Sequence, residues 1–277
     1  MINNLTNMLK KASEKKFALG SFNVYNYETI KGVFNAIKET SSDGIIAFGA
    51  KYTSNMELNE VANLIRTIST KYNKDIAIHL DHCADVKLIK EAIEAGFTSV
   101  MYDGSHLPFE ENMKQTKEVC EYAHARGVTV EAELGSIALG GDSNEDHHEE
   151  KYTDPVQAAR FVKETGVDCL AISIGTVHGT YKGTPNISVD RLKEIRDVVD
   201  IPLVLHGGSG TPVAVIKECI ENGICKININ TEMSKEAVKL MVDTVKEKPG
   251  SHFSQLSVLS RNKVTEVAKK HIELFAS

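Results

Sequence analysis

The sequence predicts a (β/α)8 barrel of the TIM type, with an N-terminal helix and extra C-terminal helices, in a single domain over residues 1–277. Three observations lead there. Eight short apolar runs, spaced by about 25 to 35 residues, are each followed by an amphipathic helical pattern, as parallel strands with crossover helices require. The length of 277 residues, with 42% hydrophobic and 25% charged, suits a barrel of about 250 residues plus terminal additions. The turn after the first strand, Ser21-Phe22-Asn23-Val24-Tyr25, lacks the glycines that a doubly wound nucleotide-binding sheet would place there.

Leu5, Leu9 and Ala12 at helical spacing open the chain with an amphipathic helix. Residues 17–22 read as the first strand, ending at Asn23, and a helix follows over 28–38. The second strand covers 44–48, and apolar residues at 58, 61, 62, 64, 65 and 68 mark the next helix. Strand 76–80 precedes helix 86–95, and strand 99–102 precedes helix 110–125. Strand 128–134 runs into a long loop before helix 155–164, and strand 169–174 into another before helix 190–198. Strand 201–205 with helix 212–221, then strand 225–229 with helix 232–246, complete the eight units. A further helix, carrying Val264, Val267, Ala268 and Ile272, lies within 251–275 and outside the eightfold count. The acidic run over 140–150 follows strand five, and its length on that face predicts a mobile lid, in which His147 and His148 would bind metal only adventitiously.

A net charge of −6 with acids and bases interspersed excludes a nucleic-acid groove or a polybasic membrane patch, so a small anionic substrate needs a locally positive pocket. No apolar run approaches the roughly 20 residues of a membrane span, and the N-terminus lacks a signal-peptide layout, which predicts a cytoplasmic protein. The five cysteines, Cys83, Cys120, Cys169, Cys219 and Cys225, form no C-x-x-C pair and read as reduced thiols.

In such a barrel the C-terminal ends of the strands face the site, so polar residues there carry the chemistry. They are Asn23, Asp81, His82, Asp103, Glu133, His178, His206, Asn228 and Asn230. His82, His178 and His206 follow strands three, six and seven, and three imidazoles with an open fourth position are the ligand set of a catalytic zinc, which can polarise a substrate oxygen. Asp81, next to a ligand histidine, is placed for proton transfer, although it could instead only orient that ligand. Asp103 and Glu133 are alternative ligands or acceptors behind the metal, a possible second metal position. His79 shares the inward face of Asp81 one layer deeper and reads as a core or supporting group; Cys83 is a weaker ligand candidate than any of the three histidines. Two turns suit phosphate. Leu205-His206-Gly207-Gly208-Ser209-Gly210 precedes a helix after strand seven, and Lys226-Ile227-Asn228-Ile229-Asn230-Thr231-Glu232 enters one after strand eight.

These motifs, with Ser99-Val100-Met101-Tyr102-Asp103-Gly104-Ser105-His106, Val130-Glu131-Ala132-Glu133-Leu134-Gly135 and Gly175-Thr176-Val177-His178-Gly179, resemble the class II, zinc-dependent ketose-bisphosphate aldolases over residues 5–275. The resemblance implies that His82, His178 and His206 hold zinc, which chelates the C2 carbonyl and C3 oxygens of a phosphorylated ketose and stabilises the enediolate. It makes Asp81 the acid/base on the C4 hydroxyl, and assigns dihydroxyacetone phosphate to Gly179, Gly207, Gly208, Ser209, Asn228, Ile229, Asn230 and Thr231, with Asn23 also at the substrate. A monovalent cation, Na+ or K+, beside the turns after strands six and seven would help anchor the phosphate. Arg261 stands where relatives reach a distal phosphate, sometimes across a subunit interface in a homodimer or homotetramer, and a guanidinium suits that dianion.

Two departures from the family pattern concern the substrate. The loop Gly140-Gly141-Asp142-Ser143-Asn144-Glu145-Asp146 is longer than the Gly-Gly-Gln-Glu-Asp of many relatives, and Gly49-Ala50-Lys51 stands where they often place Ser or Thr. Asn228-Ile229-Asn230-Thr231 looks closer to fructose-type than to tagatose-type relatives, so the resemblance implies a glycolytic fructose 1,6-bisphosphate aldolase. The alternatives are a tagatose-bisphosphate or other phosphorylated keto-sugar aldolase and, outside the class, a non-catalytic metal- and phosphate-binding barrel. A Schiff-base aldolase would instead need a buried lysine at a strand end.

Overall fold

The computed structural model describes residues 1–143, 151–181, 183 and 185–276. In chain order it contains α1 (Leu5–Lys15), β1 (Leu19–Asn23), α2 (Tyr27–Thr40), β2 (Gly44–Gly49), α3 (Leu58–Ser69), β3 (Ile76–Cys83), α4 (Val86–Ala95), β4 (Ser99–Tyr102), α5 (Phe109–His124) and β5 (Thr129–Leu134). There follow β6 (Ala138–Leu139), α6 (Pro155–Thr165), β7 (Cys169–Ile172), β8 (Val177–His178), α7 (Val189–Arg196), β9 (Leu203–Leu205), α8 (Val213–Glu221), β10 (Ile224–Ile229), α9 (Thr231–Glu247) and α10 (Phe253–Phe275). Eight parallel strands close a barrel in the order β1-β10-β9-β7-β5-β4-β3-β2. The predicted eightfold alternation is therefore present, and the C-terminal addition is one long helix.

Period-two alternation sorts each strand into two cores. On β3, Ile76, Ile78 and Leu80 pack outward with the helices, whereas Ala77 joins an interior cluster with Leu19, Ile45, Val204 and the α1 residues Leu5 and Leu9. Helix α1 thus plugs the N-terminal end of the barrel with apolar side chains. Further along the same inward faces the residues turn ionisable: His79, Asp81, Glu131, Glu133, His206 and Lys226 are all buried. An apolar floor beneath a charged upper half gives the barrel interior its polarity.

Local signals explain the helix ends. Asn26 and Thr29 form a reciprocal capping box on α2, Asp85 caps α4 through Lys87 N, and Gly96 ends α4 at φ +98°. The short pair β6 and β8, outside the barrel, and a 3-10 turn over Ala50–Ser54 carry no predictive pattern in the sequence, because such short pieces have too few residues to show a period. Parallel pairing of Leu139 with His178 ties the start of the strand-five loop to the segment carrying that histidine. Residues 144–150, which include most of the predicted lid with His147 and His148, lie outside the described residues.

Helix α10 is anchored to α2 by Thr265 Oγ1, which donates to Gly32 O at 3.0 Å, and to the start of α9 by Glu232. The Glu232 carboxylate accepts from His271 Nε2 at 2.7 Å and from Lys270 Nζ at 2.8 Å, and the bond to His271 is the largest contribution in lowering its pKa from 4.5 to about 2. A depressed carboxylate stabilises the fold above its unfolded pKa and loses that contribution as pH falls through the folded one. Its side chain is 23% exposed, so water screens part of the effect. Glu232→Gln is expected to destabilise by about 1–2 kcal/mol at neutral pH, with the difference from wild type shrinking as pH falls from 4.5 towards 2. Melts at neutral and acid pH check it; an equal difference at both would exclude the ionic origin.

Candidate active site

A regular strand would send Asp81 inward and His82 out towards the helices. Instead, the β3–β4 register shifts between Leu80 and Cys83, and His82 adopts φ +45°. This conformation costs a non-glycine residue on the order of 1–3 kcal/mol. The bulge brings consecutive side chains to the same mouth, where His82 Nδ1 meets Asp103 Oδ2 at 2.7 Å. Cys83 is left in the outer core, its thiol pushed up to about 12 by burial, and among the described residues it belongs to neither candidate metal-binding group.

His178 arrives on β8 and His206 directly after β9. Ring centroids lie 5.0 Å apart for His82 and His178, 4.6 Å for His82 and His206, and 5.8 Å for His178 and His206. One nitrogen from each ring falls within 4.8 Å of the others. His178 Nε2 and His206 Nδ1 are buried without a hydrogen-bond partner, two unsatisfied ring nitrogens that a cation would satisfy. Burial, reinforced by the neighbouring imidazoles, lowers the pKa of His178, and burial also lowers that of His206; both rings are held neutral, the form that binds a metal. His82, Asp103 and Glu133 make a second group of the same compactness. Burial and the charges of Asp103 and Glu131 raise the Glu133 carboxyl well above its usual value. Asp103 is held low, because bonds from His82 and Ser105 outweigh its burial.

Asp81 is 2% exposed. Its Oδ2 accepts from Asn23 Nδ2 at 2.8 Å and its Oδ1 from Asn228 Nδ2 at 3.0 Å. Burial alone would raise its pKa, but the neighbouring charges of His82 and, next, Lys226 hold it well below the usual carboxylate range. It is an ionised base at the floor of the mouth. His79 lies one layer down, bonded to Ser99 Oγ at 2.8 Å and 3.7 Å from Asp81 Oδ1, with its pKa lowered to about 4 by burial and Lys226.

Two cavities meet at Asp81, His82 and His178. The narrower runs between Gly179, Gly207 and Ser209 on one side and, on the other, Asn228 at the end of β10 with Asn230 and Thr231 beyond it. Gly207 sits at φ +71°, and a Cβ there would lie 2.3 Å from Val177 O; only glycine lets this turn pass beneath β8. Gly208 packs its backbone against Ile227, and the Ile229 side chain lies in the outer core, so these two have only main chain to offer a ligand. Thr231 begins α9, whose N-terminus favours an anion. The wider cavity, about 390 Å3, is bordered by Lys51, Ser105, His106, Glu133 and Ile137. Arg261 borders neither cavity; its Nη1 lies 3.7 Å from Oε2 of Glu28 in the first turn of α2.

Two residues given no role in the sequence reading also belong to the site. Glu131 Oε1 accepts from His206 Nε2 at 2.9 Å, and Lys226 Nζ lies 2.9 Å from Glu131 Oε2. The signal for them was available: a charged residue alternating with aliphatic ones inside each of two apolar strands.

Residues 3–277 match the family model described as fructose-bisphosphate aldolase class-II. The chain is 45% identical over 231 residues to a fructose-bisphosphate aldolase of Geobacillus stearothermophilus, covering 81% of this chain and 79% of that protein. Its fold superposes on the crystal structure of the YdjI aldolase of Escherichia coli K12 with a TM-score of 0.87 at 36% identity, over 99% of this chain and 97% of that one.

Proposed function

The chain belongs to the class II fructose-bisphosphate aldolase family, and on that premise we propose that it reversibly cleaves fructose 1,6-bisphosphate to dihydroxyacetone phosphate and glyceraldehyde 3-phosphate, with zinc held by His82, His178 and His206. The observation that carries the reading is the convergence of three imidazoles beside a buried carboxylate at the junction of two cavities. The partnerless nitrogens of His178 and His206 fit a divalent metal, and an all-imidazole set with room for a further ligand fits zinc. When bound, zinc would polarise the ketose carbonyl and stabilise the charge that develops on its oxygen.

Asp81, ionised and acceptor-only, takes the proton of the C4 hydroxyl as the C3–C4 bond breaks, and returns it in the synthetic direction. Asn23 and Asn228 hold its two oxygens, so the carboxylate meets the hydroxyl in one orientation. The main chain at Gly179, Gly207, Gly208 and Ser209, with the run Asn228, Ile229, Asn230 and Thr231, binds the phosphate of the dihydroxyacetone half in the narrower cavity. Na+ or K+ beside the turns after β7 and β9 would help to anchor it. The aldehyde half then occupies the wider cavity, where Lys51 offers positive charge and His106 a ring nitrogen for hydrogen bonding. Asp103 supports His82 through its Nδ1, and Asp103 and Glu133 together with His82 would provide a second metal position. Arg261, which borders neither of these two cavities in its own chain, would serve the distal phosphate of a second subunit in a homodimer or homotetramer. The enzyme would act in the cytoplasm. Among the described residues no helix is long and apolar enough to cross a membrane.

The test is a panel of fructose 1,6-bisphosphate, tagatose 1,6-bisphosphate and a deoxy-keto-gluconate phosphate, assayed with zinc-loaded enzyme. The expected result is at least a roughly tenfold preference in kcat/KM for fructose 1,6-bisphosphate, equivalent to about 1.4 kcal/mol of differential transition-state binding. Comparable rates on all three would show a broader keto-sugar phosphate aldolase.

A further inference from the structure

Lys226 and Glu131 are both 0% exposed, an ion pair at the centre of the barrel. Stability alone is a weak account of it, since desolvating two charges largely cancels their attraction and replacing a buried ion pair with apolar side chains of similar volume is often neutral or stabilising. The pair does, however, direct hydrogen bonds along two arms. In the first, Glu131, an acceptor only, takes a hydrogen bond from His206 Nε2 at 2.9 Å. The ring proton is therefore on Nε2, and the lone pair of Nδ1 faces the mouth, 3.6 Å from Glu133 Oε2. In the second, Lys226 Nζ donates to Asn228 Oδ1 at 2.7 Å. A lysine ammonium has no acceptor, so Asn228 must turn its oxygen towards Lys226 and its Nδ2 towards Asp81 Oδ1, 3.0 Å away. Reversing that amide would set donor against donor at Lys226 and acceptor against acceptor at Asp81.

Resting on the roles given above to zinc and Asp81, we propose that Lys226 is a positioning residue that couples the two halves of the site. Through Glu131 it sets the tautomer and direction of a metal ligand, and through Asn228 it sets the amide that orients the acid/base. It lines neither of the two cavities. It holds both arms in register because its one ammonium bonds to both, and losing it releases both.

Lys226→Met combined with Glu131→Gln removes the pair without stranding a charge. The expected double variant melts close to wild type, binds zinc about 10- to 100-fold more weakly, and at saturating zinc loses about 30-fold in kcat with KM within about threefold. A folded double variant with wild-type zinc affinity and kcat within about twofold of wild type would overturn the proposal. Should the variant fail to fold, long-range 1H–15N correlations of the imidazoles in the metal-free wild type decide: His206 protonated at Nε2 supports it, and protonation at Nδ1 overturns it. A wild-type protein that binds zinc but does not cleave fructose 1,6-bisphosphate would count against the aldolase reading alone, because the tautomer and zinc titrations need no substrate.

Discussion

Replacing Asp81 with alanine is expected to lower kcat for fructose 1,6-bisphosphate cleavage by about 1,000-fold, the scale of a lost general acid/base, while zinc still binds. Alanine is the informative choice. Asparagine would place a new amide donor against Asn23 Nδ2 or Asn228 Nδ2, both of which now donate to the carboxylate. The two amides left by alanine face the cavities that Asp81 lines, where water can take the bonds they lose. Proton exchange at the reacting carbon of dihydroxyacetone phosphate should persist, because that step does not involve the C4 hydroxyl. Coupled assay of cleavage beside exchange of label from the triose phosphate checks both. Cleavage within about tenfold of wild type would remove Asp81 from the proton-transfer role.

Stripping the metal with a chelator is expected to reduce cleavage by about 1,000-fold or more, with activity restored by zinc, since Lewis-acid stabilisation of a developing oxyanion contributes several kcal/mol. The competing chemistry is a Schiff base, and the barrel does contain the buried lysine it would need. Lys226, however, has its Nζ in contact with a carboxylate at 2.9 Å and an amide oxygen at 2.7 Å, an arrangement that holds the ammonium and leaves no lone pair to attack a carbonyl. Borohydride added with substrate should therefore trap nothing on the protein. Activity that survives thorough chelation, or a borohydride-stable adduct at Lys226, would reverse the assignment.

Much of the architecture was legible from the chain. Leu58, Val61, Ala62, Ile65 and Ile68 repeat at helical spacing and form the buried face of α3, and the apolar runs fall within two residues of the observed strand starts, from Leu19 to Ile224. The three histidines were legible because each stands at or just beyond a strand end beside small or polar residues, at the level where a barrel opens to solvent. The Arg261 expectation gained no support within one chain, since its partner on α2 is Glu28 and the position of α10 depends on packing rather than on a motif.

The sequence by itself determined the eight strand–helix units, the face on which the site lies and the residue types that converge there, because periodicity and polarity are properties of neighbouring residues. Only the tertiary structure decided which of those groups touch. That His82 points inward beside Asp81 follows from a bulge against β4 and a positive φ, which no alternation pattern signals. That Lys226 meets Glu131, 95 residues away, follows from the stagger of strands in the closed barrel, which sets the depth of each inward side chain. Depth is a relation between strands distant in sequence, and only their pairing establishes it.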